Sequence, residues 1–409
     1  MLTLPSKLPH HDARRRALLR RAFAGAGVLA AGPLLWGCDG GSPRPAGSSV
    51  SLANIGALNE ADENGVRLPT GLRSRIVAVA GKQVVTDAPY IWHNYPDGGA
   101  TFPAADDGWI YVSNSEVSGG RGGAGALRFA ASGELLDAYP ILSGTSTNCA
   151  GGPTPWGTWL SCEEHPSGNV YECDPSGRNT AVRYGAMGSF THEAATVDPQ
   201  RKTLYLTEDL PDGGLYRFTP NAYPNLSRGK LEIAEVKGED PLEKRAVQWH
   251  EIPDPNPRSV AQNPTRKQVS KSTSFAGGEG IWYDRGRVYF TTKWDNRVWA
   301  YDCAASSIEI IYDDDFFKQA VLTGVDNITG SGAGDLLVAE DDGDMQLVVI
   351  TPDRKVLPLL QVNHPDSEIA GPAFSPDGRR LYFSSQRGPA TEGGFGVTFE
   401  VSGPLFDGA

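Results

Sequence analysis

Six times along this chain a short β-rich run ends in a cluster of charged or polar residues. This recurrence constrains the fold most, because a repeated unit cannot bury its apolar face alone and must stack on its neighbours. The runs are Trp109–Ser113 before Asn114-Ser115-Glu116, Thr158–Ser161 before Cys162-Glu163-Glu164, and Leu204–Thr207 before Glu208-Asp209. They continue with Val288–Thr292 before Lys293, Leu336–Ala339 before Glu340-Asp341, and Leu381–Ser385 before Gln386-Arg387. Most neighbours lie roughly 45 to 50 residues apart, the size of a propeller blade. One interval is longer and holds a polar, Pro-rich insertion over 221–274. The expectation is an all-β, six-bladed β-propeller over residues 51–409.

A second short strand precedes each run, as in Glu193–Val197, Ile281–Tyr283 and Gly371–Phe374. Asp198-Pro199-Gln200-Arg201 and Ser375-Pro376-Asp377-Gly378 supply hairpin turns. In an antiparallel hairpin the start of the first strand and the end of the second share one end. The starts carry Cys149, Glu193, Glu279, Asp326-Asn327 and Glu368. The ends carry Glu116, Glu163-Glu164, Glu208-Asp209 and Glu340-Asp341. About fourteen or fifteen residues separate start from end in four units. All these side chains are therefore expected at one mouth of the central channel.

So many carboxylates in a small space repel by several kcal/mol in a partly dry site unless protons or cations intervene. Hard oxygen donors suit calcium. Cys149 adds a soft thiolate that suits iron or another transition metal. The expected metal ligands are Glu116, Cys149, Glu163, Glu164, Glu193, Asp209, Glu279, Asp326, Asn327, Glu340, Asp341 and Glu368. A formal net charge of −12 argues against nucleic acid and anionic lipid as partners.

The first residues read as an address. Arg14-Arg15-Arg16-Ala17-Leu18-Leu19-Arg20 carries paired arginines, and an apolar stretch to Trp36 follows. This pattern reads as a twin-arginine export signal over 1–38, so the export machinery is an expected partner. Leu35-Trp36-Gly37-Cys38 resembles a lipobox, which implies lipid on Cys38 as the sole membrane attachment. Residues 39–50 read as a flexible tether. The expected location is the periplasm or cell envelope. Five cysteines occur, and after Cys38 the remaining four permit three disulfide pairings that spacing alone does not decide.

At the candidate ligands the sequence resembles a known family. The pattern Asn148-Cys149-Ala150-Gly151-Gly152, Thr154-Pro155-Trp156-Gly157-Thr158-Trp159 and Cys162-Glu163-Glu164 is similar to that of the PhoX-type alkaline phosphatases. So are Phe190-Thr191-His192-Glu193-Ala194, Leu206-Thr207-Glu208-Asp209, Glu279-Gly280-Ile281-Trp282, Asp326-Asn327-Ile328 and Ser367-Glu368-Ile369-Ala370-Gly371-Pro372. Two departures stand out: Ser115 occupies the place of a family histidine, and the chain is shorter than the well-known members. The resemblance implies a phosphatase with a mixed iron–calcium cofactor and the equivalent of Cys149 on iron. The substrate is then a small phosphate ester, hydrolysed outside the cytoplasm. Lys293 and Arg387 break the acidic rule and are expected to grip the phosphoryl oxygens or, in the alternative, to pair with neighbouring carboxylates of the cluster. Two other readings stay open: a calcium-dependent phosphodiesterase or lactonase-like propeller hydrolase, and a non-catalytic, calcium-stabilised propeller of the envelope.

Overall fold

The computed structural model describes residues 51–391 and 394–406. The export signal, the lipobox and the tether lie outside the described residues. Among the described residues there are strands and four short 3-10 turns but no α-helix. None of their helices is long and apolar enough to cross a membrane.

The six runs found in the sequence are the second strands of six hairpins. They are Trp109–Ser115, Trp159–Glu163, Thr203–Glu208, Arg287–Thr292, Leu336–Glu340 and Arg380–Thr391. Each pairs antiparallel with an inner strand: Pro96–Pro103, Asn148–Pro153, His192–Asp198, Gly278–Asp284, Val325–Gly330 and Ile369–Phe374, respectively. The turns follow the expected chemistry. Asp198 Oδ1 accepts the backbone N–H of Gln200 and Arg201 at 2.9 and 3.0 Å. Gly378, at φ 73°, donates its N–H to the Ser375 carbonyl at 2.8 Å.

The inner strands lie against one another in sequence, and the last returns to the first, so they close a ring. The expected all-β, propeller-like arrangement is present. Hydrogen bonding, however, divides the strands into five sheets: three of four strands, one of five and one of nine. The nine-stranded sheet arises where Arg245–Glu251 meets Ser307–Asp313 through two residue pairs. The segment read as an insertion also carries regular structure. Asn225–Val236 and Arg245–Glu251 are central strands of that sheet, each paired on both sides. Their partial exposure explains why they read as polar loop. The rest of the segment packs back through Thr265, whose hydroxyl donates to the Ser189 carbonyl at 3.0 Å.

An early and a late strand complete one sheet between them. Arg73–Val79 pairs antiparallel with Gly394–Ser402 and forms the far edge of the sheet that Ile369–Phe374 begins. Apolar layers fill the space between neighbouring sheets. One contains Leu337, Leu347, Val349, Phe374, Leu381, Phe383 and Phe399, all buried. Each such side chain contributes roughly 1.5–3 kcal/mol by leaving water. These layers hold the ring rigid around its mouth.

Candidate active site

The first residues of the inner strands and the last of the second strands face each other, as in Asn148 with Glu163, His192 with Glu208 and Val325 with Glu340. Every inner strand also slips register near this end. The slips fall between Pro96 and Gly99, Asn148 and Gly151, His192 and Ala195, Gly278 and Ile281, Val325 and Ile328, and Ala370 and Ala373. Such a bulge re-aims a side chain. In five strands the first residue of the slip is Asp97, Cys149, Glu193, Glu279 or Asp326. The residue after it is small where strands crowd. A Cβ on Gly98 would stand 2.5 Å from the Ala150 Cα, and one on Gly280 2.5 Å from the Ile328 nitrogen. The sixth strand places Gly371 there, and its N–H donates to Asn327 Oδ1 at 2.8 Å. Glu368 enters from just before that strand instead.

Three groups of ligand-type atoms result, each lying within 4.8 Å: Cys149, Glu164 and Glu193; Asp97, Glu116 and Glu368; Glu193, Glu279 and Asp326. Glu193 joins the first and third groups. The Cys149 thiol lies 3.5 Å from Asp97 Oδ2 and links the first to the second. Cys149 is a free, buried thiol, as are Cys162, Cys173 and Cys303, so the described cysteines form no disulfide.

The electrostatics follow from burial. Loss of water raises the Asp97, Glu193, Glu279 and Glu368 carboxyls well above their ordinary range, and neighbouring acids add to the shift. Burial, then Asp209 and Glu116, pushes Glu164 up to about 8. Burial, then Asp341, pushes Asp326 up to about 7. The Cys149 thiol rises for the same reason, helped by Asp97. Both Glu193 oxygens are buried without a hydrogen-bond partner. A charged carboxylate in that position is costly unless a cation sits on it. The donor set of one sulfur and several carboxylate oxygens therefore fits a metal cluster that combines hard and softer ions.

Two fixed cations flank these groups. Lys293 Nζ lies 2.8 Å from Asp209 and 2.7 Å from Glu279. Burial works against its charge, but those carboxylates hold its pKa far above the ordinary lysine value. Arg387 pairs with Asp341 at 3.1 Å and with Glu368.

The remaining expected ligands divide by strand alternation, since successive residues face opposite ways. Glu163 turns from the mouth and accepts the backbone N–H of Ser146 at 3.1 Å and of Asn169 at 3.2 Å. Glu340 likewise accepts from Thr323 and Gln346, each at 2.8 Å. Glu208 does the same with Gly214 at 2.9 Å and the Tyr216 hydroxyl at 2.7 Å. Neither Glu163 nor Glu340 joins the acid groups; the residues after them, Glu164 and Asp341, face the mouth. Asn327 bridges strands, donating to Asp326 at 2.9 Å and accepting from Gly371.

Asp97 was missed in the sequence. Its inner strand, Pro96–Pro103, is longer than the other inner strands, and its sequence Pro-Asp-Gly-Gly-Ala-Thr-Phe-Pro lacks an apolar run. The available signal was a Gly-Gly pair following an acid, parallel to the glycines after Cys149. Gln386, marked in the sequence only as the polar end of the sixth run, donates its amide to Asp97 at 2.5 Å and Glu116 at 2.9 Å.

The sequence profile of the family described as alkaline phosphatase PhoX matches residues 111–170 and 165–309, the part of the chain that carries Cys149, Glu164, Glu193, Glu279 and Lys293. The chain belongs to the PhoX family of alkaline phosphatases. Among solved structures it is similar to Pseudomonas fluorescens PhoX in complex with vanadate, a transition state analogue. That match has a TM-score of 0.70 at 15% identity and covers 88% of this chain and 98% of that one. It is more distantly similar to XC5397 from Xanthomonas campestris, a gluconolactonase, with a TM-score of 0.45 at 13% identity, covering 86% and 99%. Comparison with curated protein sequences gives no match.

Proposed function

We propose that this PhoX-family chain hydrolyses phosphate monoesters outside the cytoplasm with a metal cluster at the mouth. The observation that carries the reading is Glu193, whose two buried oxygens have no hydrogen-bond partner and belong to two ligand groups at once. Cys149, Glu164, Glu193, Glu279 and Asp326 would hold metal on one side, and Asp97, Glu116 and Glu368 on the other. Iron fits near the thiol and calcium among the oxygens. Bound metal supplies Lewis acidity toward the phosphoryl oxygens and makes water a competent nucleophile at neutral pH.

The chain's own part is charge and position. Lys293 and Arg387 come from different hairpins and offer positive charge at the rim of the acid groups. A phosphoryl group there meets a compact ammonium and a forked guanidinium. In the reaction a water oxygen bonds to phosphorus, the bond from phosphorus to the ester oxygen breaks, and the departing alkoxide takes up a proton. Phosphate and the alcohol leave.

The same reading treats the nine-stranded sheet as two blades joined at their outer edges, which makes the fold a six-bladed propeller. The two-residue contact between Arg245–Glu251 and Ser307–Asp313 supports this, as does the ring of inner strands. Export rests on the paired arginines. Changing Arg15 and Arg16 together to lysine should retain the protein in the cytoplasm, and fractionation showing undiminished export would remove this part.

The decisive test combines metal analysis of purified protein with hydrolysis of a chromogenic phosphate monoester before and after chelation. Iron with calcium, and turnover that chelation abolishes, is the expected result. Metal-loaded protein without turnover would end the phosphatase reading. Calcium without iron would direct attention to diesters and lactones.

A further inference from the structure

A half-exposed tryptophan stands on the lip of the acidic mouth. Trp294 follows Lys293 in the 3-10 turn Lys293–Asp295 and is 50% exposed. Two backbone bonds fix it: Lys293 N–H to the Gly277 carbonyl at 2.9 Å and Trp294 N–H to the Ala276 carbonyl at 3.0 Å. The indole lies over Gly277. A Cβ on that glycine would stand 2.1 Å from the indole Cδ1, 2.6 Å from Nε1 and 3.1 Å from Asp209 Oδ1. The pyrrole edge of the ring and the Asp209 carboxylate thus crowd one point, and Lys293 Nζ is bonded to that same carboxylate. Gly277 also has φ 71°, so both backbone and space demand glycine.

Of the other exposed aromatics, Phe316 has no ring partner among the described residues but sits in sequence beside the apolar Phe317 and Val321, whereas two are stacked. Phe395 stacks on Tyr95 at 5.5 Å between centroids, and Phe317 on Tyr312 at 5.4 Å. Among the described residues Trp294 has no such ring partner. A large apolar ring left in water contributes little to the fold. Its position beside a cation at the acidic mouth suits a ligand that is charged at one end and planar at the other.

We infer that Trp294 is the platform for the leaving group, and that it favours esters whose alcohol carries a planar ring, an aryl or purine group. This rests on the phosphatase reading above. The phosphoryl end of such an ester enters toward Lys293 and the acid groups. Its alcohol end must then pass the lip, where the indole offers a flat face. Offset stacking of two rings is favourable and tolerant of ring identity. A flexible alkyl alcohol gains less from the same face.

The test is a ratio. Wild-type and Trp294→Ala proteins, both metal-loaded, are compared for kcat/KM on phenyl phosphate and on ethyl phosphate. Calorimetric affinities for phenylphosphonate and ethylphosphonate give the same comparison without turnover. Both aryl-to-alkyl ratios should fall roughly tenfold in Trp294→Ala, the scale of losing one stacked ring. Trp294→Phe should restore most of the difference. The intrinsic reactivity of each ester cancels between variant and wild type. Unchanged ratios overturn the inference. So does an equal loss for both esters accompanied by loss of metal, which makes the tryptophan structural. If wild type binds both phosphonates but hydrolyses neither ester, the phosphatase reading falls and the binding ratio still decides the role of Trp294. If it binds neither phosphonate, both fall.

Discussion

Glu163 and Glu164 are adjacent glutamates, and their replacements by glutamine should have opposite consequences. Glu163 is buried, and each of its oxygens accepts a backbone N–H, from Ser146 at 3.1 Å and from Asn169 at 3.2 Å. Glutamine offers one acceptor oxygen and one NH2 group. However the amide turns, one main-chain donor then faces another donor. An unsatisfied buried donor costs about 1–3 kcal/mol, and weakening the surviving bond from charged to neutral costs roughly 1 more. Glu163→Gln should therefore lose about 2–4 kcal/mol of stability and keep its metal. Glu164 sits with Cys149 and Glu193, and burial holds its carboxyl at about 8. At neutral pH the metal-free protein carries it mostly protonated, a state that glutamine imitates in shape and charge. Glu164→Gln should leave metal-free stability nearly unchanged and weaken metal binding by at least about tenfold, more than loss of an outer partner does. Urea unfolding of chelator-treated protein measures the first quantity, and metal content after dialysis the second. If Glu163→Gln loses metal at an unchanged unfolding midpoint, the division of the two glutamates by strand alternation is wrong.

Three further outcomes are expected. Cys149→Ser should fold with a wild-type midpoint but lose transition metal and turnover, because a hydroxyl does not replace a thiolate; metal analysis and calorimetry check both halves. Metal-free protein should lose stability as pH rises. The folded state raises Glu164 from 4.5 to about 8 and Asp326 from 3.8 to about 7, so it holds protons that the unfolded chain releases. Thermal unfolding at pH 5 and pH 8 should give the lower midpoint at pH 8, and the opposite order would refute the burial of these carboxyls. Lys293→Ala and Arg387→Ala should each lower turnover roughly ten- to a thousandfold with metal retained, as for loss of one electrostatic stabiliser; metal lost together with activity would make the residue structural.

Much of the site was legible because the propeller-like repeat puts equivalent residues at equivalent places. Cys149, Glu193, Glu279 and Asp326 were found as strand starts, and Glu116, Glu164, Asp209 and Asp341 as strand ends. What the repeat could not give was side-chain direction. Glu163 and Glu340 end strands as their neighbours do, yet they point at main-chain amides, because alternation assigns consecutive residues to opposite faces. The register slips in the inner strands leave no residue-type signature beyond small residues, so the way Asp97 enters the site was hidden. The sheets were legible where apolar runs marked a buried strand, as in Leu336–Glu340. They were not legible in Asn225–Val236, whose polar, partly exposed sequence resembles a loop.

Pairing Arg73–Val79 with Gly394–Ser402 has a temporal consequence. Arg73–Val79 is made long before its partner Gly394–Ser402. During synthesis the ring can only be an open arc, with an unpaired strand edge at its end. It closes in one late, long-range step, which topology makes slow. A route that threads an extended chain across the membrane would separate the two strands in time and place. A route that carries finished proteins lets them meet first, in the compartment where the chain is made.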